Sequence, residues 1–215
     1  MVDTMSRTKS EVTRERLLDV ATRLLIERGY HQVGMDEIAR EAGISRQAVY
    51  QGHFSSKAEL LLALVRRVDE LADIPRRAGR VRQARNGVEA LEIAVEVVMS
   101  IERDIHDLAR VFEAARTEDP AFEAAWQDEM RRRRGFAQAV VRRLDEEGRL
   151  ADGWTAEEAA DFLWATTSTW TYQALVVERG WSEERLVEQL KRVLRGALVR
   201  ESTEPSGSRD DRGGS

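Results

Sequence analysis

The segment from Met35 to Lys57, MDEIAREAGISRQAVYQGHFSSK, constrains the fold most, because two short helical patterns meet there at a glycine. The first pattern places Ile38, Ala39 and Ala42 on one helix face. Gly43 follows directly and allows the backbone to turn. Two short helices joined by such a corner are typical of a helix-turn-helix. The sequence therefore predicts this motif in its N-terminal quarter.

The second helix of this motif has an apolar side and a polar side. Ile44, Ala48 and Val49 are at positions where they can contact the first helix. The outward side combines a guanidinium, amides and hydroxyls without an acid, and its residues are Ser45, Arg46, Gln47, Tyr50 and Gln51. Such donors bind phosphates and base edges, so we expect this side to contact DNA.

Helix signals dominate the rest of the chain, and strand signals are nearly absent, which predicts an all-α fold. An apolar stripe on the first helix, Leu17, Val20, Ala21, Leu24 and Leu25, should pack against the motif. Ser56 and Glu59 form a predicted capping box that begins a linking helix, which Pro75 interrupts. Two further helices are predicted at Val88 to Ile101 and Ile105 to Ala115. A third runs from Asp119 to Glu147 and stops at Gly148, a fourth runs from Thr155, which has Glu158 as its capping partner, to Gly180, and the last begins at Ser182.

Composition excludes several functional classes. The chain has no cysteine and three scattered histidines, so it predicts no disulfide, no metal site and no cofactor. It has no signal-peptide pattern and no apolar run of roughly 20 residues, which predicts a cytoplasmic protein. The net charge of −5 lies wholly outside residues 1 to 60, which hold nine basic and nine acidic residues. The acidity therefore does not argue against DNA binding by the helix-turn-helix.

Two arginine-rich runs each have two interpretations. The run RRAGRVRQAR, Arg76 to Arg85, fits a solvated interdomain loop better than a second phosphate-contacting patch. The run RRRRGFAQAVVRRL, from Arg131 to Leu144, fits a helix face that pairs with nearby acids better than a nucleic-acid patch.

The last helix has a long apolar stripe, formed by Leu186, Val187, Leu190, Val193, Leu194, Ala197 and Leu198. Packing within the chain is one explanation of the stripe. Dimerisation is the other, because helix-turn-helix proteins usually pair so that two motifs meet half-sites one helical turn apart.

The chain from Thr13 to about Val68 resembles the TetR family of bacterial transcriptional regulators. The resemblance rests on an ordered set: the helix RERLLDVATRLLIERGY, the Ile38-Ala39 and Ala42-Gly43-Ile44-Ser45 steps, Tyr50, the His53-Phe54 pair, and Lys57 opening an apolar helix. It implies a three-helix DNA-binding domain over residues 10–55 and a helical effector-binding and dimerisation domain over 56–200, with 56–74 as the linking helix. A flexible arm, 1–9, and a disordered tail, 201–215, complete the predicted organisation.

The resemblance also assigns roles to the motif. Arg46 and Gln47 lie where family members read base edges, and arginine suits guanine whereas glutamine suits adenine. Ala48 either contacts a thymine methyl or packs internally. The implied phosphate contacts are Ser45, Tyr50, Gln51, His53 and Lys57. Tyr50 has the alternative of a half-buried anchor, and His53 that of a cap for the loop.

Two departures from the family pattern concern the edges of the motif. Val33 and Gly34 stand where members commonly have hydroxyl residues, so Gly34 has to cap the second helix and one phosphate contact is lost. The spacing from Tyr50 to His53 is one residue longer than usual, and Gly52 is the expected site of the insertion.

The resemblance implies a ligand-responsive regulator, expected to be a repressor, that binds a palindromic operator in double-stranded DNA as a homodimer and senses an unknown small-molecule effector. The alternatives are an activator or a structural nucleoid protein without an effector, and no enzyme activity or membrane association is expected. The implied dimer interface is Phe162, Leu186, Leu190, Val193, Leu194 and Ala197. Candidates for the effector cavity, each with core packing as its alternative, are Met99, Phe112, Phe122, Trp126, Met130, Phe162, Trp164 and Trp170.

Overall fold

The computed structural model describes residues 8–200, and within them the chain is helical without a strand. One isolated antiparallel bridge joins Leu150 to Val199. The helices are α1 (Lys9–Arg28), α2 (Met35–Glu41), α3 (Arg46–Gly52), α4 (Lys57–Leu71), α5 (Ile74–Arg82), α6 (Gly87–Arg116), α7 (Pro120–Glu146), α8 (Ala156–Thr166), α9 (Thr169–Tyr172) and α10 (Glu183–Leu198). The predicted all-α class is confirmed. The predicted tail, 201–215, and all of the predicted arm except Thr8 and Lys9 lie outside the described residues.

The helix-turn-helix forms where it was predicted. Gly43 adopts a φ of +67° between α2 and α3, a region that residues with a Cβ rarely occupy. Gly34 is the N-cap of α2 and provides no side-chain hydrogen bond, as the missing hydroxyl required. Thr8 caps α1 through a capping box with Glu11, so helix already replaces the predicted arm at Lys9.

One apolar core joins the motif to the rest of the chain. Leu17, Leu24 and Leu25 of α1 are fully buried, as the stripe on this helix predicted. The same core includes Ile38 and Val49 of the motif. It continues into the end of α6 and the start of α7 through Leu108, Val111, Phe112, Phe122 and Trp126. The motif therefore packs directly against α6 and α7 and is not joined to them by the linking helix alone.

Several helix boundaries differ from the prediction. A single helix, α6, replaces the two expected between Val88 and Ala115, because the apolar stripe continues without a break across residues 101–105. The helix predicted to run from Thr155 to Gly180 is interrupted after Thr166, where Ser168 caps α9, and it continues as a π-helical segment, Gln173–Glu178. The stop of α7 agrees with the prediction, since Gly148 has a φ of +66°.

The arginine-rich run after the linking helix is also a helix. Pro75 lies in the first turn of α5, where its missing N–H has no cost, instead of breaking a longer helix. The loop interpretation of this run is therefore wrong. Its arginines bind acids of α6: Arg77 Nη2 lies 2.5 Å from Asp104, and Arg80 Nη2 lies 2.9 Å from Glu96. These pairs attach α5 to α6, in a second apolar core of the chain.

That second core is built from α5, α6, α7, α8 and α10. It includes Leu91 and Val95 of α6 and Val141 and Leu144 of α7, all nearly inaccessible to solvent. Leu186, Leu190, Leu194 and Leu198 of α10 point into this core. For these four leucines, the explanation of the apolar stripe as packing within the chain is the correct one.

Candidate DNA-reading surface and internal cavity

The exposed side of α3 lies opposite its buried anchor. Val49 is fully buried, and Ile44 just before the helix is half-buried against the same core. The reading face, which we define as Ser45, Arg46, Gln47, Ala48, Tyr50 and Gln51, is exposed throughout. Ala48 points outward, so the internal-packing alternative for this residue is wrong. The core thus holds α3 while its polar groups remain free to meet a ligand.

Two hydrogen bonds fix the ends of α3. Ser45 is the N-cap, and its hydroxyl oxygen accepts a hydrogen bond from the Ala48 N–H at 3.2 Å. At the other end Gly52 is the last helical residue and His53 the C-cap, so α3 contains the extra residue of this chain. The Arg14 guanidinium of α1 donates to the His53 carbonyl at 3.1 Å and lies over the Phe54 ring. The insertion therefore lengthens α3 without displacing Phe54 from the core.

Arg46 has a partner that the local sequence did not predict. Its Nη1 lies 2.9 Å from Asp36 Oδ2 of α2, and both side chains are largely exposed. Its guanidinium also lies 5.6 Å from the centre of the Tyr50 ring. Tyr50 is 37% exposed, which is compatible with the half-buried anchor expected as its alternative role. An acid is thus present beside the reading face, although the segment Gly43 to Ser56 contains none.

Lys57 is placed differently from the expected phosphate contact. Its ammonium donates to the Tyr30 carbonyl at 2.5 Å and lies 3.6 Å from the centre of the Tyr30 ring. Burial lowers the pKa of this lysine below its usual value. Its charge therefore serves to fix the start of α4 against the turn that follows α1. The N-cap of α4 differs slightly from the predicted box, because the Glu59 carboxylate accepts from Ser55 while Ser56 accepts from the Glu59 N–H.

The C-terminal part of the chain encloses a cavity of about 750 Å³. Four of the predicted residues line it: Trp126, Met130, Trp164 and Trp170. The other four do not line it. Met99, Phe112 and Phe122 are buried packing residues, and Phe162 packs against Trp154 with ring centres 5.2 Å apart. The volume is in the range of small-molecule binding sites.

The cavity lies within the second predicted domain, 56–200, and its lining includes the linking helix. Ile74, Pro75 and Ala78 come from α5, and Val98 and Ile101 come from α6. Asp69, near the end of the linking helix α4, belongs to the same lining. A molecule in the cavity would therefore touch the helix that continues from the DNA-binding motif.

A charged cluster belongs to the lining of this cavity, and the sequence had indicated none. Glu102 of α6 is fully buried; it accepts from the Arg133 Nη1 at 2.9 Å and from the Thr169 hydroxyl at 2.7 Å. Arg133 also contacts Glu129 at 3.2 Å, and Arg132 lies 2.5 Å from the same carboxylate. Glu102 occupies an apolar position in the α6 repeat, with Val98 and Ile105 four before and three after. An acid at an apolar position was the feature of the sequence that could have predicted a buried carboxylate here.

The arginine-rich run of α7 pairs with acids, as the favoured interpretation held. Arg131 pairs with Asp128, and Arg134 binds Asp161 at 2.5 Å and Glu157 at 3.1 Å. Arg133 differs from that interpretation because it turns inward to Glu102 rather than facing solvent.

The surface of the chain from α8 to α10 contains apolar side chains. Val193 of α10 is 52% exposed, and Ala197 is partly exposed. Trp164, Trp170 and the π-segment residue Val177 add exposed apolar area in the same part of the chain. Of the six predicted interface residues, Leu186, Leu190 and Leu194 are buried inside the monomer, so only Val193, Ala197 and the half-buried Phe162 reach its surface.

Residues 17–64 match the model of a family described as bacterial regulatory proteins, tetR family. The chain carries a TetR-family domain in its N-terminal part. It is 41% identical over 110 residues to the transcriptional activator FasR of Mycolicibacterium smegmatis, an alignment that covers 50% of this chain and 49% of FasR. The chain thus spans about half the length of the curated relatives it matches.

Solved structures extend the likeness over the whole TetR-family fold. A transcriptional regulator from Saccharomonospora viridis in complex with choline superposes with a TM-score of 0.73 and 27% identity, over 88% of this chain and 99% of that one. SmeT of Stenotrophomonas maltophilia in complex with triclosan superposes with a TM-score of 0.70 and 22% identity, over 92% of this chain and 96% of SmeT. At this identity the likeness shows the fold alone. No helix within residues 8–200 is long and apolar enough to cross a bilayer, and those residues contain no cluster of three potential metal ligands.

Proposed function

We propose that this chain is a sequence-specific transcriptional regulator that binds a palindromic operator as a homodimer and responds to a small molecule in its cavity. The observation that supports this most directly is the reading face of α3. Arg46, Gln47 and Ala48 are exposed on a helix whose Val49 is anchored in the core. A rigid helix with such groups can enter a major groove and distinguish base pairs. DNA as the partner places the site of action in the bacterial cytoplasm.

Within this proposal the residues of the motif have separate roles. Arg46 and Gln47 read base edges, and Ala48 contacts a thymine methyl. Ser45, Tyr50, Gln51 and His53 contact phosphates, which sets the register on DNA without selecting its sequence. Lys57 supports the motif from within, since its ammonium is engaged by Tyr30.

Two observations support a homodimer: the short half-site that one α3 covers and the apolar surface of the C-terminal helices. One α3 covers a short half-site, so two copies are needed for a palindrome one helical turn apart. The exposed Trp164, Val177 and Val193 would be covered by the same surface of a second copy. We assign the dimer contact to this surface rather than to the buried leucines of α10.

The response to a small molecule is supported by the lining of the cavity. Asp69 of α4 and Ile74 and Pro75 of α5 line it together with α6 and α7. A ligand that binds one position of α4 better than another shifts the spacing of the two motifs and thereby changes affinity for DNA. The S. viridis neighbour, in complex with choline, supports a ligand-binding role for this fold.

We propose that the chain represses transcription when it is bound to its operator. Activation is the second candidate, and the name of the relative FasR, a transcriptional activator, favours it. The position of the operator relative to the promoter decides between the two, because the same reading face serves both.

Selection of duplexes from a random pool, followed by gel shifts with the best duplex and with random DNA, tests the function. A specific regulator should prefer the selected duplex by about a thousandfold or more, and that duplex should be a palindrome. A much smaller ratio would favour a structural nucleoid protein. A transcription assay with the operator between or upstream of the promoter elements then measures the sign.

A further inference from the structure

We propose that the cavity selects an amphipathic cation, a molecule with an alkyl or aromatic body and an ammonium head. The inference rests on the proposed function, since it names the chemical class of the effector.

Carboxylates outnumber the cations available to them around the cavity. The lining contains Asp69, Glu102, Glu113 and Glu129 against Arg116, Arg132 and Arg133. Arg116 is engaged by Glu123, which does not line the cavity, at 3.1 Å. Two guanidiniums are therefore left for four carboxylates. The surplus of negative charge favours a cationic guest.

Arg132 and Arg133 already bind carboxylates, so an anion would compete with these partners for them. Arg133 is held between Glu102 at 2.9 Å and Glu129 at 3.2 Å, and Arg132 is bound to Glu129 at 2.5 Å. An anionic ligand that drew Arg133 away from Glu102 or Glu129 would leave a buried carboxylate without its partner, which is costly.

Asp69 is the proposed contact of the cation, because the other three carboxylates of the lining, Glu102, Glu113 and Glu129, already accept hydrogen bonds. Its nearest guanidinium nitrogen, Arg132 Nη1, is 3.9 Å away, beyond hydrogen-bond distance, and no hydrogen bond to its carboxylate is found within residues 8–200. Its side chain is 29% exposed. Burial and the nearby Glu129 carboxylate raise its pKa by more than Arg132 and Arg133 lower it.

The aromatic side of the cavity suits the same guest. Trp126, Trp164 and Trp170 line it, and indole faces attract ammonium groups better than other aromatic rings. The Trp126 side chain is 91% buried, and its indole N–H has no acceptor within the described part of the chain. A polar atom on the guest, beside its cationic head, would supply that acceptor. The apolar residues of α5 and α6 would cover its body.

Three probes that share one tail test the charge preference: octyltrimethylammonium, 1-octanol and octyl sulfate, each titrated into the full chain by calorimetry. We expect the cation to bind at least about tenfold more tightly than either of the others. Equal binding of the three would overturn the proposal and leave a merely apolar cavity. Preference for the sulfate, or no binding of the cation, would also overturn it.

The variant Asp69→Asn keeps the shape of the side chain and removes its charge. It should remove most of the tenfold preference for the cation and leave the affinity for 1-octanol unchanged. Asp107→Asn is the matched control, because Asp107 is an exposed acid of α6 outside the cavity lining. Unchanged cation binding in Asp69→Asn would refute the assigned contact, and the wild-type series gives its answer even if that variant fails to fold.

Gel shifts with the selected duplex separate this inference from the proposed function. Cation binding that leaves DNA affinity unchanged would support the site and contradict its role as an effector site. Specific DNA binding without a cation preference would contradict the site and leave the regulator intact.

Discussion

Arg46 Nη1 lies 2.9 Å from Asp36 Oδ2, so the arginine proposed to read bases is held by an acid from the neighbouring helix of the motif. Both side chains are more than half exposed, and such a pair is worth little in stability. The pair matters for the proposed DNA binding. To hydrogen-bond a guanine, Arg46 would have to break its ion pair with Asp36 or bind the base and the carboxylate together. We therefore expect the acid to lower the affinity for every duplex while it orients the guanidinium.

Arg46→Ala should cost about 1 to 3 kcal/mol on the selected operator and relax base choice at one position of each half-site. Asp36→Asn should do the reverse for affinity, strengthening binding to all duplexes while preserving base preference, since it removes a negative charge near phosphates. Fluorescence anisotropy with the operator and its single-base variants measures both. Uniform weakening by Arg46→Ala would identify a phosphate contact instead.

Lys57→Met should destabilise the fold by about 1.5 to 3 kcal/mol, since it removes a charged hydrogen bond to the Tyr30 carbonyl. Because the ammonium is engaged inside, the dependence of DNA binding on salt should not change. Urea unfolding and a salt titration of operator binding measure the two effects. His53→Ala is the comparison, and it should weaken binding to all duplexes with little effect on stability. A shallower salt dependence for Lys57→Met would restore its role at a phosphate.

Gly43→Ala should destabilise the chain by about 1 to 2 kcal/mol, because a side chain at φ +67° is strained and its Cβ would come within 3.2 Å of the Arg16 guanidinium. Gly52→Ala is the matched control, one helix later and with open space around its Cβ position. As an ordinary helical residue it should be neutral or stabilising by up to about 1 kcal/mol. Thermal unfolding of both variants tests the pair, and similar effects would contradict the assigned turn.

The stability of the folded chain should respond to pH through Asp69. Its pKa is raised above 3.8 in the folded state, so folding favours the protonated carboxyl. The favourable contribution is complete below the unfolded pKa and is lost as the pH rises through the folded value. The groups facing Asp69 are Glu129, Arg132 and Arg133 of α7 and its neighbour Glu70.

Asp69→Asn, which cannot ionise, should therefore melt at a higher temperature than the wild type at pH 7. The difference should shrink toward pH 3.5, where the wild-type carboxyl is protonated. Scanning calorimetry across this range measures it. A variant that is less stable at pH 7 would show that Arg132 outweighs the burial of the charge.

Val193→Asp should weaken the proposed dimer without unfolding the monomer, since Val193 is 52% exposed and an acid there is solvated until a partner covers it. Light scattering across a dilution series and a melting curve separate these effects. Leu194→Ala provides the contrast one residue later. Its side chain is fully buried, so the expected result is a loss of stability of about 2 to 5 kcal/mol. A dimer that tolerates Val193→Asp would exclude α10 from the interface.

The elements that depend on short-range interactions were predictable. The turn at Gly43, the stop at Gly148, the capping of α8 by Thr155 and the start of α10 at Ser182 each arise from a hydrogen bond or a backbone torsion within a few residues. The same holds for the outward placement of Arg46 and Gln47, because helical periodicity assigns them to the side opposite Val49. Local sequence therefore determined the helix-turn-helix and the identity of its exposed groups.

The tertiary structure alone decided which charges meet. Asp36 approaches Arg46 across the turn between two helices, and Glu102 meets Arg133 from a helix 31 residues along the chain. It also turned the α10 leucines inward and kept the α6 stripe in one helix. Helical periodicity assigns a side chain to a face, but only the packing of helices against each other determines what that face contacts. Residue types and spacing therefore sufficed to predict the candidate DNA-reading surface. The charge of the cavity could not be predicted in this way, because it depends on how α4, α6 and α7 pack together.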